Sequence, residues 1–217
     1  TAIGLLGPHR CQSERASTIP QIGDSISMLK DVVITDLDGV LYDTMQSMCE
    51  YLQNRWNLNI TVAQIVDYNV FKLTDDKVIQ EDLKRWMKDP KTYFPKRIAV
   101  LPKAKLAIRM LKECGYAVYA CTSRPSVAKR NTLLAIAMDF PEVEGVHFTK
   151  VKQKIAKMYG ARYFIEDNPK MIETLSKNRI HTFCVRNNYN DLSHITKFRR
   201  FISEVDSAYE AAQIICQ

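Results

Sequence analysis

No stretch of this sequence approaches the roughly 18 consecutive apolar residues that a membrane-spanning helix needs, so the chain reads as soluble. None of its six cysteines stands in a CxxC pair, and several lie in apolar runs where a thiol behaves as a small hydrophobe. That pattern excludes a disulfide scaffold and leads us to expect a reduced, cytoplasmic protein. The histidines, His9, His147, His181 and His194, are isolated, with no HExxH or HxH between them, so no zinc site is expected. Internal repeats and low-complexity segments are also missing. Glycine is scarce, and three of the seven fall in the first 27 residues.

What is present is ordinary in bulk. A chain of 217 residues with 46% apolar and 25% charged residues suits one globular domain, or one domain carrying an insertion. The formal charge of +7 favours anionic partners such as nucleotides or nucleic acid. Residues 1–27 show neither helical nor strand period and read as a loose extension, with Met28 opening the ordered chain.

From residue 31 strands and helices alternate. Apolar runs at 32–35, 116–121, 163–165 and 182–185, with a weaker one at 145–148, lack the polar alternation of a half-exposed sheet. They suit parallel strands covered on both faces. Helical patterns lie between them: 103–114 before Gly115, the Val151/Ile155/Tyr159 face before Gly160, and a segment opened by Asn168-Pro169. The expected fold is an α/β, Rossmann-like open parallel sheet with helices on both faces. About 80 residues separate the first two strands, more than one crossover helix requires. Residues 44–57 and 75–88 read as helices started by Thr44 and Thr74, so 44–97 is expected to form a small helical cap inserted after the first strand. The core is then 28–43 with 98–217.

In such a sheet, ligands bind beyond the carboxyl ends of the strands. Strand one, in "VVITDLDGVLYDT", ends in Asp36 and Asp38 with Gly39 after them. Strand two ends in Thr122, Ser123 and Arg124, and a later strand ends in Glu166 and Asp167. Lys152 opens the helix leading to that strand. Crowded carboxylates are tolerated around a hard cation, and Mg²⁺ takes one or two of them while keeping water and phosphate oxygens. Hydroxyls, backbone amides and a lysine supply donors for phosphate. One carboxylate can attack phosphorus and a second can exchange protons.

"VVITDLDGVL", "VYACTSR", Lys152 and "FIEDN" resemble the four successive motifs of the haloacid dehalogenase superfamily of phosphotransferases, in the right order across residues 31 to 185. The resemblance implies that Asp36 is the nucleophile and a Mg²⁺ ligand. It implies that Asp38 is the general acid and base, with its backbone carbonyl on the metal. Thr122 would hold a phosphoryl oxygen, Lys152 would neutralise charge, and Asp167 would complete the metal site, with Glu166 ligating directly or through water. Lys150, Lys152 and Lys154 alternate; Lys152 best matches the family's interval to the acidic pair. Plainer roles stand beside these. Thr122 can cap the helix beginning near Ser126, Glu166 and Asp167 can favour the positive end of the next helix, and Asp43 can cap the helix at Thr44.

The short helical cap and "LPKAKLAIRMLKECGYAVYACTSRP" resemble the 5′(3′)-deoxyribonucleotidase branch, with Arg124 placed to meet phosphate or sugar. The sequence departs from that branch in "IEDN", where paired aspartates are usual, and in Lys103, where glycine is usual. Tyr68, Phe71, Trp86, Tyr93 and Phe94 offer surfaces for a nucleobase or simply the cap's own core. The implied activity is a Mg²⁺-dependent phosphomonoesterase acting through an aspartyl-phosphate on nucleoside (deoxy)monophosphates. A phosphatase of nucleic-acid 3′-phosphate ends and a nucleotide-binding non-enzyme are the alternatives. The oligomeric state is left open.

Overall fold

The computed structural model describes residues 30–217; the expected extension over 1–27, and Met28, lie outside the described residues. Six strands form one parallel sheet in the order β3-β2-β1-β4-β5-β6. They are β1 (Val32–Thr35), β2 (Ala117–Thr122), β3 (Gly145–Phe148), β4 (Tyr163–Glu166), β5 (His181–Val185) and β6 (Ile202–Val205). Helices α3 (Ala104–Glu113), α4 (Lys129–Asp139), α5 (Lys152–Met158), α6 (Pro169–Lys177) and α7 (Ala208–Ile215) follow or join the strands. This is the expected Rossmann-like α/β sheet.

Every residue of β1 is buried, which is why its sequence shows no polar alternation. The two-residue period still operates inside it. Val33 joins the core beneath α3 and α7, whereas Val32 and Ile34 join the opposite core with Ala156 of α5 and Leu175 of α6. Central placement between β2 and β4 makes the chain leaving β1 the natural meeting point for neighbouring strand ends.

Between β1 and α3 the chain forms α1 (Thr44–Trp56), α2 (Lys77–Lys88) and short 3-10 turns. They gather around their own apolar cluster, which includes Met48, Leu52, Ile65 and Leu83. Asp82 is buried at its edge, accepting hydrogen bonds from the Tyr51 hydroxyl at 2.6 Å and the Trp56 indole at 2.9 Å.

Several local expectations are corrected. Of the two candidates for the start of α1, Asp43 is the cap, accepting from Gln46 N, which frees the Thr44 hydroxyl for another partner. Asp76, not Thr74, caps α2; the Thr74 hydroxyl accepts from Asp76 N instead. Strand β6 is absent from the sequence expectation because Ser203 and Glu204 interrupt its apolar residues at the sheet edge. Cys114 and Cys216, expected as thiols, form a disulfide with Cα atoms 5.9 Å apart. The packing of α3 against α7 unites cysteines 102 residues apart, a separation in which no local spacing signal exists. Lys103 sits at φ +60° at the start of α3, in the left-handed region that favours glycine. That conformation accounts for glycine being the expected residue there.

Candidate active site

Asp36 follows β1, and its amide donates to Ile165 O of β4 at 2.9 Å, so ladder hydrogen bonding extends into the site. One carboxylate oxygen accepts from Leu37 N at 2.7 Å, and the other meets Lys152 Nζ at 2.8 Å. Lys152 also meets Glu166 at 2.8 Å and is 2% exposed. Lys150 and Lys154 are exposed. Of the three alternating lysines, Lys152 therefore reaches the acidic cluster. Position decides this: Lys152 begins α5 on the buried face.

Glu166 closes β4 and is fully buried. Its second oxygen accepts from Asp167 N at 3.3 Å and Asn168 N at 3.1 Å. Asp167 is equally buried and accepts a 2.6 Å hydrogen bond from the Tyr189 hydroxyl on Oδ2. Its Oδ1 is buried without a hydrogen-bond partner. Carboxylate oxygens of Asp36, Glu166 and Asp167 lie within 4.8 Å of one another.

Three such carboxylates sharing one lysine carry an electrostatic cost, and it appears in their protonation. Burial pushes Asp36 well above the ordinary aspartate range, with Glu166 adding repulsion that Lys152 only partly offsets. Burial likewise raises Glu166. Burial, reinforced by the charge of Asp36, lifts Asp167 to about 7. For Lys152, burial alone would lower the ammonium, but Asp36 and Glu166 overcome it and hold the group above its usual value.

Asp38 is oriented differently. Burial would raise it, yet Arg124 and the Thr44 hydroxyl hold it below the usual range. Arg124 grips both Asp38 oxygens, Nε to Oδ2 at 2.9 Å and Nη2 to Oδ1 at 2.7 Å, and Thr44 donates to Oδ1. The guanidinium is sandwiched near the rings of Tyr42 and Tyr93, 5.1 and 4.6 Å from their centroids. Arg124, expected to meet phosphate or sugar, thus spends its fork on Asp38. The acidic cluster includes the Glu166 side chain, while the Asp38 side chain points to Arg124.

Thr122 is buried at the end of β2, its hydroxyl accepting from Arg124 N at 3.1 Å; Ser123, beside it, is exposed. Gly39 has φ +76°, and a Cβ there would stand 2.7 Å from Asp167 Cγ. Only glycine lets the chain leave β1 so close to the second acidic strand end.

Asp36, Asp38, Ser123, Arg124 and Asp167 line one cavity of about 190 Å³. Its opposite wall comes from the inserted helices: Met45 and Met48 of α1, Trp86 and Met87 of α2, with Tyr68 and Tyr93. Phe71 instead packs into the helical cluster and Phe94 is largely exposed.

Sequence reasoning missed Tyr189 and Asn190. They sit in "RNNYND", a polar loop after β5 that has the composition of a plain turn. Asn190 donates to the Asp167 carbonyl at 2.6 Å, and Tyr189 is buried against the inserted helices. Only an aromatic residue in an otherwise polar loop hinted at a buried role.

Comparison with known proteins gives one family. The family model described as "5′ nucleotidase, deoxy (Pyrimidine), cytosolic type C protein" matches residues 30–217. No curated protein matches the chain. Among solved structures, a HAD family hydrolase from Deinococcus radiodurans R1 with bound phosphate and sodium is similar at 13% identity and a TM-score of 0.58, covering 87% of this chain and 96% of that one. A HAD phosphatase from Thermococcus onnurineus is similar at 17% identity and 0.53, covering 85% and 97%. A haloacid dehalogenase-like family hydrolase from Xanthomonas campestris reaches 9% and 0.55, covering 86% and 95%. At these identities the likeness is one of fold.

Proposed function

The chain belongs to the deoxy (pyrimidine) 5′ nucleotidase, cytosolic type C family, hydrolases of phosphoric monoesters, and from that premise we propose that it is a Mg²⁺-dependent phosphatase of nucleoside (deoxy)monophosphates working through a phosphorylated Asp36. The observation that carries this reading is the convergence of Asp36, Glu166 and Asp167, the first two paired with buried Lys152, where Asp36 and Asp167 meet the cavity.

The residues fit a hard divalent cation. Three carboxylates converge, and Asp167 Oδ1 is buried and unpaired, a costly state unless a cation or water engages it. Asp36, Asp167 and the Asp38 carbonyl would hold Mg²⁺, with Glu166 ligating directly or through water. When bound, the ion supplies charge stabilisation to phosphoryl oxygens.

The chain's own groups perform the transfers. A carboxylate oxygen of Asp36 bonds to phosphorus as the ester P–O bond breaks, and the leaving oxygen takes a proton from Asp38. Asp38 then accepts a proton from water as that water attacks phosphorus, releasing inorganic phosphate and restoring the Asp36 carboxylate. Arg124 and Thr44 hold Asp38 and favour its ionised form, the form of the second, basic role. For the first role Asp38 takes up a proton as the anionic phosphate enters beside it and raises its affinity for one. Lys152 draws Asp36 toward the ionised form that attacks, against burial and the repulsion of Glu166. Thr122 and Ser123 offer donors to phosphoryl oxygens.

Residues 44–97 act in this reading as the cap over the core of 28–43 and 98–217. Their contribution to the cavity is Trp86, Tyr68, Tyr93 and methionines, surfaces suited to a base and sugar. A cytosolic location belongs to the same reading, supported by the family description. The largely apolar wall favours a mononucleotide over a nucleic-acid end.

Phosphate release from a panel of deoxynucleotides, ribonucleotides, sugar phosphates and 3′-phosphorylated oligonucleotides tests the proposal. Deoxymononucleotides are expected to turn over fastest, with activity abolished by EDTA and by Asp36→Asn. Activity surviving either treatment refutes the mechanism; preference for oligonucleotide ends refutes the substrate.

A further inference from the structure

The loop between β5 and β6 touches both halves of the site. From it, Tyr189 donates its hydroxyl to Asp167 Oδ2 at 2.6 Å, and Asn190 donates to the Asp167 carbonyl at 2.6 Å. The loop is itself fastened: Asn187 N donates to Asn190 Oδ1 at 2.5 Å, and Asn187 Nδ2 to Val185 O at 3.2 Å. The same six residues reach the inserted helices. Asn188 Nδ2 donates to Ala63 O at 2.8 Å. The Tyr189 ring is 5% exposed, packs in the inserted segment's apolar cluster, and meets Tyr68 edge-on at 5.6 Å between centroids. Tyr68 in turn lines the cavity.

One side chain therefore has its polar end on a carboxylate of the acidic cluster and its apolar end inside the helical segment. An aspartate with a free rotamer meets a cation in many geometries, whereas a hydrogen bond to one oxygen leaves the other aimed in a single direction. Here the aimed oxygen is Oδ1, the one without a partner. Resting on the cation reading above, we propose that Tyr189 is a positioning residue that orients Asp167 for the divalent ion and ties that orientation to the seating of the helical cap. Its hydroxyl acts on the ion through Asp167, and its ring passes the state of the strand end to Tyr68 and the 3-10 turns around it.

Tyr189→Phe separates the two ends, because it keeps the ring and removes the hydroxyl. Mn²⁺ binding, followed by the electron paramagnetic resonance of the free ion, is expected to weaken about tenfold or more, the usual loss when an outer partner of a metal ligand is removed. The unfolding midpoint in EDTA is expected to stay within a few degrees of wild type, which distinguishes lost positioning from lost structure. In the wild-type protein, Mn²⁺ is expected to slow amide hydrogen exchange across residues 62–73, and in Y189F this slowing should shrink. Equal Mn²⁺ affinity in the two proteins, or an identical exchange response over 62–73, overturns the proposal. A wild-type protein that binds no Mn²⁺ overturns the cation reading itself, a result distinguishable from both.

Discussion

Replacing Lys152 with methionine tests what holds the acidic cluster together. Methionine retains most of the side-chain volume, so the change is electrostatic rather than a cavity. Lys152 Nζ lies 2.8 Å from both Asp36 and Glu166, and all three groups are buried. Removing one partner from a buried ion pair costs roughly 3–5 kcal/mol, because the remaining charge has neither water nor counter-charge. Two carboxylates are orphaned here, which places the effect toward the upper end near neutral pH. For a domain of this size each kcal/mol lowers the unfolding midpoint by about 2–4 °C, so a fall of roughly 6–20 °C is expected. The loss must depend on pH. Without the ammonium, Asp36 and Glu166 keep protons in the folded state that the unfolded chain releases, and stability drops by about 1.4 kcal/mol per pH unit for each extra proton held. Urea unfolding of wild type and Lys152→Met, followed by circular dichroism in EDTA at pH 5 and pH 8, measures both quantities. A loss below about 1 kcal/mol at pH 8, or equal losses at the two pH values, would refute the reasoning.

Three further outcomes follow from the same geometry. In EDTA the wild-type protein should lose stability as pH rises from about 4 through 7. Asp167 is raised to about 7, so its folded form holds a proton that the unfolded form gives up, and the penalty is complete only above that value. Asp167 alone is worth up to about 4 kcal/mol across that window. Added Mg²⁺, which binds the ionised form, should stabilise more at pH 8 than at pH 5, read as the shift in midpoint; a shift independent of pH contradicts the protonation scheme. Gly39→Ala should cost at least 1–2 kcal/mol from its φ of +76° alone and displace Asp167, so Mn²⁺ affinity should fall along with the unfolding midpoint; retained affinity contradicts the close approach.

Much of the fold was legible because its signals are local. The unbroken apolar run of β1, the Asn168-Pro169 start of α6 and the long interval before β2 each reflect a one-dimensional rule of burial, capping or chain length. Strand β6 was hidden because half of its four residues are polar at a sheet edge. The cap of α2, expected at Thr74, was misplaced by two residues because Ser, Thr, Asp and Asn are chemically interchangeable at that position until side chains take definite partners.

The site divides along the same line. Sequence alone determined that acids, hydroxyls and a lysine end on one rim, since in a parallel sheet every strand runs the same way and all the carboxyl ends share one side. Only the tertiary structure decided which of the three lysines reaches the acidic cluster, set the Arg124 fork on Asp38, and brought Tyr189 onto Asp167. Those choices depend on which side chain is buried beside which charge, and that energy exists only once distant segments have excluded water from between them.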